Sequence, residues 1–277
     1  MKNFLVPVDF SEYGKAAKDT AIAIAAQNGA EVDFLHCMNL PKFTHISNID
    51  TKDLPEEYRV EKGKAQQLLN DYKKEAEGLG ITAKSYLSYS KSTTEITLHA
   101  ENHNTDLIIM GSHGSSGFRE AFLGSNTQRV LRMSSSPVLV IKQKPKSLNF
   151  KHIVFAATFK EDVHAPFHKV LDFAKSFGAQ LHLLYINLPY NFEETATSLA
   201  RMDAFAKMYP GNNLKLHIYN AFDEESGILN FSHENAIDVI ATTTHGKSGF
   251  AQIMSPSITE SLANHSSIPV LSVNMNR

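Results

Sequence analysis

Residues 106–141 read DLIIMGSHGSSGFREAFLGSNTQRVLRMSSSPVLVI, and the rest of the chain can be placed relative to them. The stretch opens with Leu107–Met110, a short apolar run typical of a strand that is buried on both faces of a parallel sheet. A glycine-rich loop follows. Ser125, with Gln128 three residues later, has the spacing of a capping box and predicts a helix over about 126–133. A second apolar run, Pro137–Ile141, completes a strand–loop–helix–strand unit.

The loop of this unit has the chemistry of an anion site. Small residues let the backbone approach a ligand closely, and the first turn of a helix presents unpaired N–H groups and the positive end of its dipole. These properties suit a phosphate. A plain turn between strand and helix would need glycines as well, and the spacing alone leaves both interpretations open.

The glycine spacing resembles a family motif. Gly111, two residues, Gly114, nine residues and Gly124-Ser125 match the G-2x-G-9x-G-[S/T] signature of the ATP-binding branch of the universal stress protein family. In that family the loop and the helix start hold the ribose and phosphates of ATP. The resemblance therefore implies contacts from Gly111, Gly114, Gly124, Ser125, Asn126 and Thr127, to which we add the neighbouring Met110 and His113.

An internal repeat predicts two domains. A shift of 132 residues aligns positions 105–141 with 237–273 without a gap, and 14 of the 37 pairs are identical. A second shift, of 149 residues, aligns FLVPVDF from Phe4 with IVFAATF from Ile153. We therefore expect a tandem duplication, with domains at 1–144 and 150–277.

Strand and helix patterns alternate through both halves, which predicts an α/β fold. Each half is expected to be a Rossmann-like domain with a five-stranded parallel sheet and helices on both faces. The resemblance supplies the strand order 3-2-1-4-5 and an adenine nucleotide alpha hydrolase-like fold. Ligands of such sheets bind where the winding reverses, between strands one and four, and Asp9 and Gly111 end those two strands.

The resemblance places the nucleoside next to the first two strands. It implies that Pro7, Val8 and Asp9 line this end of the site and that Cys37 offers backbone contacts to adenine. Cys37 also fits a small buried apolar residue, which we favour over any thiol chemistry.

The second half keeps the scaffold signals and changes the site. β-Branched side chains and a proline replace residues that should offer bare backbone or a carboxylate, and proline also removes an N–H. We therefore expect a degenerate site that does not hold ATP, although Ser257 and Glu260 retain the capping-box spacing. The replacements are Thr158 for Asp9, Thr243 for Gly111 and Pro256 for Gly124.

Other candidate sites are weaker. Gly246-Lys247-Ser248 resembles the end of a phosphate loop, but the first glycine of that pattern falls on an alanine. His99 and His103 stand four residues apart on a predicted helix, a spacing that can bind zinc, yet no third ligand is evident and we expect two solvent-facing histidines. No catalytic grouping stands out, so we expect no enzyme, slow ATP hydrolysis aside.

Composition limits the partners. The chain has 277 residues, 42% apolar and 20% charged, with a net charge of −2, which predicts a globular protein without a nucleic-acid or membrane partner. The start, MKNFLVPVDFSE, is too weakly apolar for a signal peptide, and Cys37 is the single cysteine, so we expect a cytoplasmic location.

The fifth strands suggest how the halves assemble. Both would be sheet edges, and their pairing inside one chain would make an intramolecular pseudo-dimer, with further homo-dimer formation open. We expect a stress-response or signalling module that binds an adenine nucleotide, ATP with or without Mg²⁺, and an unidentified protein partner. The alternatives are a scaffold that binds no nucleotide and an adenylate-handling enzyme of a related α/β fold.

Overall fold

The computed structural model describes residues 1–38, 55–89, 92–113, 123–145, 147–244 and 257–275. In the first half, helices and strands alternate as the sequence predicts. The strands are β1 (Asn3–Pro7), β2 (Glu31–Cys37), β3 (Ala83–Ser88), β4 (Leu107–Gly111) and β5 (Val138–Ile141). The helices are α1 (Glu12–Asn28), α2 (Glu56–Gly78), α3 (Ser92–Asn102) and α4 (Ser125–Met133).

The second half repeats this order. A short 3-10 turn at Pro189–Asn191 precedes its second helix. The strands are β6 (His152–Ala156), β7 (Gln180–Asn187), β8 (Leu214–Asn220), β9 (Val239–Thr244) and β10 (Val270–Asn274). The helices are α5 (His164–Ser176), α6 (Thr195–Lys207), α7 (Glu224–Glu234) and α8 (Ile258–His265).

Local signals set the ends of α1. The Ser11 side chain accepts a hydrogen bond from the Gly14 N–H and caps the first turn. At the other end, Gly29 adopts a left-handed conformation with φ of 65°, and its N–H bonds to the Ala25 carbonyl. Helix α1 packs against β4. The start of α1 therefore fixes the position of the β1–α1 connection relative to β4.

All ten strands form one sheet. The order is β3-β2-β1-β4-β5-β10-β9-β6-β7-β8, so each half has the expected order 3-2-1-4-5 and the α/β fold class is confirmed. Pairs within each half are parallel, whereas β5 and β10 pair antiparallel, with Leu139 opposite Leu271. The fifth strands therefore join the two halves inside one chain. The exact domain boundaries stay a prediction.

The core lies on both faces of this sheet. Along β1, Phe4 and Val6 belong to one apolar cluster and Leu5 belongs to the other, as expected for successive residues of a buried strand. Both clusters contain residues of both halves. The duplicated units thus share two continuous apolar layers.

Polar contacts join α4 to the second half. The buried Glu260 carboxylate, at the start of α8, accepts hydrogen bonds from Arg132 Nε, from Arg132 Nη2 (2.8 Å) and from Gln128 Nε2 (2.6 Å). Two further hydrogen bonds between the halves occupy equivalent positions in the repeat. Lys142 donates to a carbonyl of the second half, and its counterpart Asn274 donates to a carbonyl of the first half. We call the Arg132–Gln128–Glu260 group the α4–α8 clamp.

The clamp changes both predicted capping boxes. Gly124, not Ser125, is the N-cap of α4, and within the described residues no side chain caps this helix, because Gln128 reaches Glu260 instead. Ser257 does cap α8 by accepting from the Glu260 N–H (3.2 Å), but the Glu260 carboxylate turns to Arg132. The capping-box prediction is therefore wrong for α4 and half right for α8.

None of the helices in the described part of the chain is both long enough and apolar enough to cross a bilayer.

Candidate functional site

A cavity of about 130 Å³ lies where β1, β2 and β4 end and α4 begins. It is located at the reversal of winding between β1 and β4. Eleven of the twelve predicted contacts line it, and the twelfth, Gly114, lies outside the described residues. The eleven are Pro7, Val8, Asp9, Cys37, Met110, Gly111, His113, Gly124, Ser125, Asn126 and Thr127.

Asp9 is held by the turn that leads from β1 into α1. Its Oδ1 atom accepts hydrogen bonds from Ser11 Oγ (2.6 Å) and from the Ser11 N–H (3.1 Å). Phe10 between them has φ of 63°, a left-handed conformation that a non-glycine residue adopts at a cost. The turn therefore fixes a carboxylate at the rim of the cavity.

Two glycines allow close packing around this turn. A Cβ atom on Gly14 would lie 2.6 Å from Asp9 Oδ1. A Cβ atom on Gly111 would lie 2.7 Å from the carbonyl carbon of Tyr13, in the first turn of α1. Gly111 is thus required for the packing of α1 on β4. From the sequence alone, this packing role of Gly111 could not be distinguished from a close approach of the backbone to a ligand.

The start of α4 presents its first amides to the cavity. The N–H groups at the start of a helix have no intrahelical partner, and Ser125, Asn126 and Thr127 line the cavity. The Gly124 N–H bonds to the Ser112 carbonyl (2.8 Å), and Thr127 Oγ1 donates to the Gly111 carbonyl (2.9 Å). These bonds tie the helix to the end of β4 and direct its positive pole at the cavity.

His113 lies beside this loop start. Its Nδ1 is 2.8 Å from Ser112 Oγ, and its ring centroid is 4.9 Å from that of Tyr13. Met110, 5% exposed, contributes apolar surface at the end of β4. Both side chains bound the cavity between α1 and α4.

The opposite wall is formed by β2. His36 Nδ1 lies 2.7 Å from the Val8 carbonyl, and the His36 ring packs on Phe10 with centroids 4.6 Å apart. Burial, with the Glu95 charge as a lesser cause, raises the pKa of the Cys37 thiol to about 12. Near neutral pH the thiol is protonated and unreactive, in line with Cys37 as a packing residue.

Four lining residues were missed by the sequence analysis: Gly14, Leu35, His36 and Ile96. Gly14 carried a usable signal, because glycine is a poor helix former and its place in the first turn after a serine cap indicates close approach of another group. His36 directly precedes Cys37 on a predicted strand. Nothing in its spacing pointed to the Val8 carbonyl.

In its described residues, the second half repeats two backbone features of the site and lacks the carboxylate. Phe159, the counterpart of Phe10, also has a positive φ (55°), and the Lys160 N–H bonds to Thr158 Oγ1 (3.3 Å) in place of the Asp9 contact. Thr259 Oγ1 donates to the Thr243 carbonyl (3.1 Å), as Thr127 does to Gly111. Residues 245–256, with Pro256 and Gly246-Lys247-Ser248, lie outside the described residues.

The histidine pair of α3 differs from the sequence expectation. His99 is buried, at 7% exposure, and its Nε2 lies 3.3 Å from Asp33 Oδ2 on β2. His103 Nδ1 lies 3.5 Å from the same oxygen. The prediction of a solvent-facing side chain is therefore wrong for His99 and confirmed for His103, which is exposed, and the expected lack of a third candidate ligand is wrong because Asp33 lies beside both. Strand order brings Asp33 beside α3 from far away in the chain.

Comparisons with known proteins agree with this architecture. The family model described as "Universal stress protein family" matches residues 1–142 and again 149–274. Universal stress protein MJ0531 of Methanocaldococcus jannaschii is 33% identical over 145 residues, which are 52% of this chain and 84% of that protein.

Solved structures match as well. A universal stress protein from Archaeoglobus fulgidus aligns over 98% of both chains with a TM-score of 0.77 and 23% identity, a likeness of fold. A universal stress protein solved in complex with cAMP matches 51% of this chain and 97% of its own, with 20% identity and a TM-score of 0.42. At that level of likeness, nothing about a ligand carries over to this chain.

Proposed function

Because this chain belongs to the universal stress protein family, we propose that it is an ATP-binding module in which the first half alone holds the nucleotide. The observation that carries this proposal is the cavity itself: eleven residues chosen from the sequence line it and come from four separate segments. The glycine motif, the site residues and ATP as the ligand are all parts of the proposal.

The two ends of the cavity suit the two ends of a nucleotide. Its volume of about 130 Å³ is smaller than the roughly 300–1,000 Å³ of complete ligand pockets, so a bound nucleotide would extend beyond it. The phosphates would then extend along the first turn of α4, where amides and the helix dipole favour negative charge. Mg²⁺ would enter with the phosphates, since it is commonly bound through them.

Asp9 gives the nucleoside end its specificity. A carboxylate accepts hydrogen bonds from hydroxyl groups, and ribose presents two adjacent hydroxyls. Asp9 lines the cavity in a fixed turn, whereas Thr158 occupies the matching turn of the second half. The loss of this carboxylate supports one nucleotide site per chain.

We infer that the module works by occupancy, with at most slow hydrolysis. Burial keeps the Cys37 thiol protonated, and the groups that line the cavity otherwise serve to bind and position. Turnover assays with and without Mg²⁺ test this point, and rapid hydrolysis would favour the adenylate-handling enzyme.

Asp9→Thr tests the site with a residue the fold already accepts. Thr158 makes the same kind of turn in the second half, so the variant should fold, as a thermal melt would verify. Loss of a charged acceptor worth about 1.5–3 kcal/mol should weaken ATP binding by about 10- to 100-fold in titration calorimetry. The matched control is Thr158→Asp, which should leave the wild-type stoichiometry of one ATP per chain.

Three results would refute this assignment. Unchanged ATP affinity in a folded Asp9→Thr variant would show that the Asp9 carboxylate is not part of the ATP site. Two equivalent sites in the wild-type chain would restore the second half as a binding domain. No binding at all by the wild-type protein would leave the scaffold without nucleotide as the correct function.

A further inference from the structure

A second cluster of ligating side chains lies in the first half, away from the amides of α4. Asp33 on β2, His99 on α3 and His103 just after α3 each offer one ligand atom, and these three atoms lie within 4.8 Å of one another. None of the three residues lines the nucleotide cavity. We propose that Asp33, His99 and His103 form a site for a divalent transition metal of the zinc class.

The distances within the cluster support this proposal. Asp33 Oδ2 is 3.3 Å from His99 Nε2 and 3.5 Å from His103 Nδ1. In a tetrahedral zinc site, with metal–ligand bonds of roughly 2.0–2.1 Å, neighbouring ligand atoms lie about 3.3–3.5 Å apart. Two edges of the tetrahedron are therefore already formed around the carboxylate.

The third edge requires one ring to turn. The His99 and His103 rings are stacked, with centroids 3.9 Å apart and planes 8° from parallel, so their nitrogen lone pairs lie in nearly parallel planes and do not converge on one point. Rotation about the Cβ–Cγ bond of histidine is soft, and the His103 side chain is 37% exposed. His103 can therefore swing toward a common ion while His99 keeps its buried position.

Space for the ion and for an exchangeable ligand lies next to the cluster. A cavity of about 70 Å³ is lined by Asp33 and His103, together with Glu31 and Lys84. That volume exceeds what one or two water molecules require, so a metal-bound water fits in the fourth position. Lys84 Nζ lies 3.5 Å from Glu31 Oε2. This ion pair reduces the repulsion between the Lys84 ammonium group and a bound metal ion.

The ligand set selects the class of metal. Two imidazoles and one carboxylate with an open position suit Zn²⁺ and related borderline ions, whereas Mg²⁺ prefers oxygen ligands. Tyr86 packs edge-on against His99, with centroids 4.5 Å apart, and limits its movement. A bound ion would fasten the end of α3 to β2.

The second half shows which substitutions remove the site without loss of the fold. By the repeat, Phe231 and Asn235 stand for His99 and His103, and His182 stands for Asp33. His182 instead joins His152 and His217 in a row of imidazoles across β6, β7 and β8. His103→Asn therefore introduces a residue that the duplicated scaffold accepts at this position.

The test is cobalt and zinc titration of the full-length protein, stripped of metal and free of nucleotide. Co²⁺ should give the visible absorption of a tetrahedral site at one equivalent per chain, and Zn²⁺ should displace it. His103→Asn and Asp33→Asn should each weaken Co²⁺ binding by at least about 100-fold, the upper end of the loss seen for outer-shell changes. His265→Asn, an exposed histidine paired with Glu225 in the second half, is the matched control and should bind as the wild type does.

Three outcomes would overturn the proposal. These are no tetrahedral Co²⁺ spectrum in the wild type, the same spectrum and affinity in a folded His103→Asn variant, and loss of the spectrum in His265→Asn. A parallel titration with Mg²⁺ should show no competition. None of these readouts depends on ATP, so the result stands apart from the proposed nucleotide function.

Discussion

Arg132→Leu should destabilise the protein far more than the removal of an ordinary surface cation. The α4–α8 clamp holds Glu260 with its side chain 3% exposed, and Arg132 supplies two of the three clamp bonds described above. After the substitution, the carboxylate loses its ion-pair partner and keeps, among the described residues, the bond from Gln128.

The size of the effect follows from burial. Removal of one partner of a buried ion pair costs about 3–5 kcal/mol, because the remaining charge is left desolvated. The Arg132 side chain is 22% exposed, so water can reach the space it leaves, and we expect the lower end, about 3 kcal/mol. Replacement of both partners by leucine should recover most of this loss, since the uncompensated charge is removed as well.

Urea unfolding of the wild type, Arg132→Leu and the double variant Arg132→Leu/Glu260→Leu measures these differences. Lys207→Leu is the control, because its pair with Asp203 is exposed, at 75% and 48%, and should be worth less than about 1 kcal/mol. A loss below about 1 kcal/mol in Arg132→Leu, or a double variant less stable than the single one, would refute the argument that burial of Glu260 sets the cost.

Three further predictions concern packing, pH and thiol chemistry. Gly111→Ala should cost about 1–3 kcal/mol in urea unfolding, because its Cβ would meet the main chain of Tyr13 at 2.7 Å; an unchanged midpoint would contradict that contact. Burial, aided by neighbouring imidazoles, lowers the pKa of His182 to about 4, so the folded state favours its neutral form, and stability should fall as pH drops from about 6.5 toward 4, by about 2 kcal/mol at pH 5. His182→Asn should flatten this dependence of stability on pH. An equally steep profile in the variant would contradict the assignment of the pH dependence to His182. Cys37, with a pKa of about 12, should react with iodoacetamide at pH 8 far more slowly in the folded than in the urea-unfolded protein, and equal rates would contradict its burial.

The fold was predictable because its signals are local or repeated. Ser11 and Gly29 bound α1 as their residue types predict, and the repeat fixed the second half from the first. The order of the strands required the family resemblance, since each pairing joins segments far apart in the chain. The site residues followed from the same resemblance and converge on one cavity.

Long-range contacts explain what the sequence analysis missed. The spacing of Ser125 and Gln128 fits a capping box, but Gln128 finds a buried carboxylate 132 residues away. His99 was predicted to face solvent, although it lies between Ile96 and Ala100 on the buried face of α3. This helical spacing of apolar residues predicts that His99 is buried. The spacing of the histidines gives no indication that Asp33, 66 residues earlier, is the partner of His99.

Helix α4 connects the candidate site of the first half to the second half. Its first residue, Ser125, borders the cavity at the ends of β1, β2 and β4, and Gln128 and Arg132 on the same helix bond to Glu260 of the second half. The helix spans nine residues, about 13 Å at 1.5 Å per residue. A phosphate drawn onto its leading amides would pull on Glu260 directly. The carboxy-terminal half would then report whether its neighbour is loaded, without a ligand of its own.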